Sequence, residues 1–307
     1  MRILSVKQKG RSHLIDQQEC QDALFIQDRV AVLADGVSHS PYAALGAKTL
    51  VQQIGQRLSE PSVIKDLDRH DDHWIKVRFL EWIETITQEL ISGGPSNHPD
   101  DYASTLLAAW LDQGHITLIH CGDGAIFGLP NTGEMTCPVI LSYPDQNAYG
   151  EVYPASSKKT IERMRVLRVH CQEWKALLLG TDGFTDRYLN GQEALYDAHG
   201  LKEVFGFNTN AEFQTFVDDH HYMIADDISA ILIQLSQPPI LHEQDIHRRT
   251  GKPHHMMTFL FIFFCILNLI LWILSLSHQF RTDQRIDQLQ DQILPLMTIS
   301  KGGPSNA

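Results

Sequence analysis

Four apolar runs in this chain each meet an aspartate: AVLADG (31–36), ITLIHCGDG (116–124), ALLLGTDG (176–183) and ADDISAILI (225–233). In the first three a glycine follows the aspartate. A buried strand that ends in Asp-Gly delivers a carboxylate to a sheet edge, where glycine lets the backbone turn or approach a ligand closely. One such place is ordinary turn chemistry. Four, far apart in sequence, point to carboxylates gathered from several strands. Gathered carboxylates repel one another, and some stay protonated near neutral pH unless cations lie between them. The pattern therefore points to a divalent metal site. An all-oxygen ligand set suits Mg2+ or Mn2+ over zinc.

The elements that must hold these carboxylates are legible as short runs rich in Ile, Val and Leu. Strands are expected at 2–7, 23–27, 30–34, 105–111, 115–121, 125–129, 164–170, 176–180 and 228–235. A helix over 42–58 places Ala43, Ala47, Leu50, Val51, Ile54 and Leu58 on one face. A second over 72–91 places Trp74, Val77, Leu80, Ile83, Ile86 and Leu90 together, with Asp71 as its N-cap. Both long helices come early and the later connections are short. That order predicts antiparallel α+β layering rather than alternating βαβ units. Residues 142–160, rich in Ser, Pro, Tyr and Asn without a period, read as a surface loop or flap.

The chain has 307 residues, with 25 basic against 37 acidic side chains and a formal charge of −12. No basic stripe is present, so nucleic-acid binding has no support. Five cysteines without a C-x-x-C pair read as reduced thiols in a cytosolic setting. The N-terminus lacks the apolar stretch of a signal peptide.

Residues 256–277 carry no Asp, Glu, Lys or Arg. As a helix they span roughly 33 Å, enough for a hydrocarbon core of about 30 Å. A soluble helix usually keeps a polar face, and this segment has only Asn268 as a strongly polar group. The expected organisation is a catalytic-type domain over 1–235, a juxtamembrane linker over 236–255, a transmembrane helix over 256–277 and a short extracytoplasmic tail over 278–307. Arg248, Arg249 and Lys252 precede the span, and Arg281 and Arg285 follow it. With the missing signal peptide, this bias places residues 1–255 in the cytoplasm.

Other motifs carry less. Gly46-Ala47-Lys48-Thr49 lacks the second glycine of a P-loop and lies inside a helix pattern. No G-x-S-x-G elbow and no H-E-x-x-H occurs. His254-His255 beside Lys252 reads as solvated linker.

The four aspartates, in this order, resemble the metal-dependent protein phosphatases of type 2C, the PPM family, over about residues 1–235. The likeness is strongest to a mainly bacterial branch. It rests also on Gly10-Arg11-Ser12-His13, Cys20-Gln21-Asp22-Ala23 and Ala34-Asp35-Gly36 followed by a helix. The resemblance implies a PPM-type β-sandwich of two antiparallel sheets flanked by helices (αββα). It implies two Mn2+ or Mg2+ ions, with a looser third, that activate a bridging water for attack on phosphoserine or phosphothreonine. No protein nucleophile is then needed. It further implies that Asp35 bridges two metals, that the Gly36 carbonyl binds the second, and that Asp182 and Asp226 bind the first. Asp22 contacts the second metal through water. Asp123 binds the third, with Asp186 assisting. In Asp226-Asp227-Ile228-Ser229, Asp227 stands at the place of a family asparagine.

The chain also departs from the family. Gln17 stands where many members carry a phosphate-binding arginine, and Arg11 and His13 are the candidates to take that place. Gly122-Asp123-Gly124-Ala125 replaces the frequent Gly-Asp-Ser-Arg. Val37 stands where some relatives place a proton-donating histidine, and His39 is the nearest substitute. The expected protein is a membrane-anchored phosphatase acting on phosphorylated cytoplasmic proteins. The alternative is a catalytically weak metal- and phosphoprotein-binding module recruited to a membrane complex.

Overall fold

The computed structural model describes residues 1–132, 137–146, 152–157, 159–190, 194–195, 197–220 and 224–235. The membrane span expected over 256–277, with its linker and tail, lies outside the described residues. Among the described residues no helix is long and apolar enough to cross a membrane.

Two antiparallel sheets carry the architecture. The first is ordered β1 (Arg2–Gln8), β12 (Ile228–Gln234), β9 (Trp174–Gly180), β6 (Ala125–Pro130), β7 (Val139–Ser142). The second is ordered β2 (Ala23–Gln27), β3 (Val30–Ala34), β4 (Leu106–Asp112), β5 (His115–Cys121), β8 (Arg165–His170). A small pair, β10 (Leu189–Asn190) and β11 (Ala194–Leu195), stands apart. The helices are α1 (Arg11–Ile15), α2 (Ala43–Leu58), α3 (Pro61–Leu67), α4 (Asp72–Gly93), α5 (Thr160–Arg163), α6 (Asp182–Thr185), α7 (Ala198–Val204) and α8 (Asn210–His220).

Three apolar layers hold these elements. Ala31 and Leu33 of β3 meet Leu177, Leu179, Ile231 and Ile233 of the opposite sheet. Val30, Val32 and Ala34 turn the other way, onto Ala47, Ile54 and Leu58 of α2 and Phe79 of α4. On the far side, Leu178 and Leu232 pack against Leu201, Phe213 and Val217 from α7 and α8. The order is helix, sheet, sheet, helix. A strand covered on both faces has no polar side to show. That is why β3, the ALLL stretch of β9 and the AILI stretch of β12 read as unbroken apolar runs rather than as alternation.

The helix over 42–58 forms with the expected face buried. Asp71 caps α4 by accepting the Trp74 N–H at 2.8 Å. The buried face of α4 keeps Ile83 and Ile86 of the expected set, with Trp74 and Leu90 partly buried against the same core, and adds Ile75 and Phe79. Val77 and Leu80 stay partly exposed. Phe79 stacks on Trp110 of β4 with ring centroids 5.9 Å apart, which turns the helix towards β4.

Candidate metal centre

Strand register brings the aspartates to one end of the sandwich. β3 and β5 both run antiparallel to β4, so their C-terminal ends lie together: Leu33 pairs with Leu107, and Cys121 with Leu106. Asp35 and Asp123 follow directly. In the other sheet, the last residue of β9, Gly180, pairs with Ala230 near the start of β12. Asp182 and Asp226 therefore leave that sheet at the same end. The chain crosses between the sheets at Gly122–Gly124, because Cys121 pairs in one sheet and Ala125 in the other. Gly122 makes the crossing at φ 119°, a conformation that L side chains rarely adopt.

One carboxylate oxygen each from Asp35, Asp123 and Asp182 lies within 4.8 Å of the others. They line a cavity of about 490 Å³ together with Gly36, Val37, Ser38, His39, Thr105, Gln146, Val152 and Asp226. Asp22 sits 2 % exposed, taking a hydrogen bond from the Thr181 hydroxyl at 3.1 Å. Its other carboxylate oxygen is buried with no hydrogen-bond partner among the described residues.

Local contacts hold the backbone of Asp35 and the side chains of Asp123, Asp182 and Asp226. The Asp35 N–H donates to Thr105 Oγ1 at 3.0 Å, and the Thr105 N–H donates to the Asp35 carbonyl at 2.8 Å. The Gly183 N–H donates to Asp182 Oδ1 at 2.7 Å. The Asp227 N–H donates to Asp226 Oδ1 at 2.8 Å. Gln146 Nε2 lies 3.3 Å from Asp123 Oδ2. Below Asp123, His120 bridges Ser142 Oγ at 2.7 Å and the Gly122 carbonyl at 3.0 Å. A carbonyl only accepts, so Nε2 carries the proton and Nδ1 accepts from the Ser142 hydroxyl.

Burial raises the pKa of every carboxylate in the cluster. Asp22 and Asp123 are each pushed up to about 7, by burial first and neighbouring carboxylates after it. Asp35 is raised well above its ordinary range by burial and by Asp22, Asp182 and Asp226. Asp182 and Asp226 move the same way, led by burial. Such a cluster is unfavourable as bare anions, and a cation between them removes the strain. The donors are all oxygen, and one buried carboxylate oxygen of Asp22 has no hydrogen-bond partner among the described residues. The residues present thus fit hard divalent ions, Mn2+ or Mg2+.

Of the residues expected at the site, Asp35, Gly36, Asp123, Asp182, Asp226 and His39 line the cavity, and Asp22 is buried beside Thr181. Arg11 and His13 do not line it. His13 is 7 % exposed and turned towards Asp227, with Nδ1 2.9 Å from Oδ2, so burial and that pairing take it away from substrate phosphate. Arg11 is exposed on α1. Asp186 ends α6, exposed and outside the lining. Sequence reasoning missed Thr105, Gln146 and Thr181. Thr181 stands beside Asp182 in the ALLLGTDG run, but its contact with Asp22 is visible only in the fold; Thr105 and Gln146 belong to no motif.

The fold has known relatives. A bacterial serine phosphatase shares 13 % identity over 78 % of this chain and 100 % of its own, with a TM-score of 0.55. The serine/threonine phosphatase Stp1 from Staphylococcus aureus shares 13 % over 77 % of this chain and 95 % of its own, TM-score 0.55. The catalytic domain of the serine/threonine protein phosphatase PstP, in complex with two manganese ions, shares 14 % over 76 % and 97 %, TM-score 0.55. No curated protein matches the chain. The protein phosphatase 2C family profile matches residues 9–220, most of the domain that carries the carboxylates. The chain belongs to the protein phosphatase 2C family, protein serine/threonine phosphatases that work with Mn2+ or Mg2+.

Proposed function

We propose that this chain is a membrane-anchored phosphatase that removes phosphate from serine and threonine of cytoplasmic proteins. The observation that carries the reading is the meeting of Asp35, Asp123 and Asp182 within 4.8 Å from three separate strand ends. In this reading Asp35, Asp182 and Asp226 hold the first ion. Asp35, the Gly36 carbonyl and Asp22 serve the second, and Asp123 serves a looser third. When bound, the ions activate a water for in-line attack on phosphorus and neutralise charge on the phosphoryl oxygens.

The chain's own groups do the remainder. Thr105 and the Gly183 N–H keep Asp35 and Asp182 in place. Gln146 steers Asp123. His39, exposed on the cavity wall, is the candidate imidazole for giving a proton to the leaving oxygen. Residues 256–277 supply the anchor, and the basic residues before them favour a cytoplasmic domain.

The test is hydrolysis of a phosphopeptide and of p-nitrophenyl phosphate by the full chain in detergent, with and without Mn2+. Mn2+-dependent turnover abolished by chelator supports the enzyme. One observation favours the second reading, a metal- and phosphoprotein-binding module: the described residues lining the cavity include no Lys or Arg to grip phosphate. Metal binding without turnover of either substrate supports that module. Alkaline extraction of membranes tests the anchor: retention in the pellet supports it, and release into the supernatant overturns it.

A further inference from the structure

A second cavity, of about 390 Å³, adjoins the acidic one. Gln18, Glu19 and Gln21 line one side, and Ser38, His39, Ser40, Pro41, Tyr42, Ala43, Ala44 and Leu45 line the other. The two cavities share Ser38 and His39, so one short loop separates them. Consecutive Cα atoms lie about 3.8 Å apart. A chain neighbour of a residue whose phosphate enters the acidic cavity is therefore within reach of the second cavity.

The lining suits a polypeptide. Pro41, Ala44 and Leu45 give an apolar floor, with Leu45 39 % exposed. The amides of Gln18 and Gln21 can meet backbone N–H and C=O groups. The described linings of both cavities contain no Lys or Arg, whereas Glu19 is an exposed carboxylate. α2 opens at Ala43 and brings the opposite influence, but a helix N-terminus carries only about half a positive charge. The full charge of Glu19 exceeds it, and the chain as a whole carries −12.

We propose that this second cavity binds the substrate polypeptide beside the phosphorylated residue, and that Glu19 selects substrates with a basic side chain there. The proposal rests on the phosphatase reading above and adds a substrate class to it. The apolar floor anchors the chain, the glutamines hold its backbone, and Glu19 pairs with the flanking Lys or Arg.

The test compares kcat/KM of the full chain with Mn2+ on three substrates. They are p-nitrophenyl phosphate, a phosphopeptide flanked by arginine and the same peptide flanked by glutamate. Glu19 and Leu45 are exposed, so Glu19→Lys and Leu45→Asp keep the fold. The wild type is expected to favour the arginine peptide by about fivefold, the scale of one exposed ion pair. Glu19→Lys erases that preference, chiefly through KM, and Leu45→Asp weakens both peptides. Neither variant changes turnover of p-nitrophenyl phosphate. Peptide turnover unaltered by both variants, with the small ester still hydrolysed, overturns the subsite alone. A wild type inert towards all three substrates overturns the phosphatase reading, and the subsite with it.

Discussion

His13 Nδ1 lies 2.9 Å from the carboxylate of Asp227, which joins α1 to the residue just before β12. The same carboxylate accepts the Gly10 N–H at 2.7 Å and the Gln21 N–H. Asp227 is 1 % exposed and directly follows Asp226, while Gln21 directly precedes Asp22. One buried side chain thus clamps both ends of the domain against the metal centre.

Asp227→Leu leaves two N–H groups without an acceptor. Each buried unsatisfied donor costs about 1–3 kcal/mol, so the variant is expected to lose about 3 kcal/mol. Asp227→Asn keeps one accepting oxygen and stays closer to wild type. Urea unfolding of both variants checks the order. Equal stability of wild type and Asp227→Leu contradicts the clamp.

Metal binding is expected to release protons. Asp22 and Asp123 stand at about 7 in the metal-free fold against an ordinary 3.8. Between those values the folded state holds more protons than the unfolded one. Metal-free stability therefore falls as pH rises from about 4 to about 7. Mn2+ displaces those protons, so calorimetry in buffers of different ionisation enthalpy should show more release at pH 6 than at pH 8.5. Equal release at both values contradicts the assignment.

His120 has the opposite sign. Burial, with Arg165 nearby, lowers its pKa from 6.5 to about 3. The unfolded chain binds the proton first as pH falls. The His120 contribution to stability is undiminished above 6.5 and falls between 6.5 and about 3, with a limiting slope of about 1.4 kcal/mol per pH unit. In His120→Gln this part of the slope should vanish. Unfolding free energies from pH 4.5 to 7.5 measure it.

Gly183→Ala places a Cβ 2.1 Å from the Asp227 carbonyl oxygen. The backbone must shift, and Asp182 moves with it. Mn2+ affinity is expected to fall by about 10- to 100-fold, the range seen when support behind a ligand is disturbed. Mn2+ titration of the variant settles the point.

What the sequence revealed follows the physics of each position. β3 stands out because every one of its five residues is buried. Asp35, Asp123, Asp182 and Asp226 stand out because each interrupts an apolar run at a strand end. On α4, Ile75 and Phe79 are not distinguished in sequence from Val77 and Leu80, which are also apolar; Phe79 is covered because Trp110 lies opposite it. α3, α7 and α8 went unread: the first two are seven residues each, too short for a period to show. The partnership of His13 with Asp227 spans most of the chain, and no local pattern announces it.

Asp35 stands in the carboxylate cluster, and the phosphatase reading depends on its holding the ions. The direct measurement is Mn2+ binding by calorimetry alongside hydrolysis of p-nitrophenyl phosphate, for the full chain and for Asp35→Asn. The wild type is expected to show Mn2+-dependent turnover. Asp35→Asn should show weakened Mn2+ binding and turnover lower by at least about 100-fold. Turnover that survives Asp35→Asn, or that persists in excess chelator, contradicts that reading.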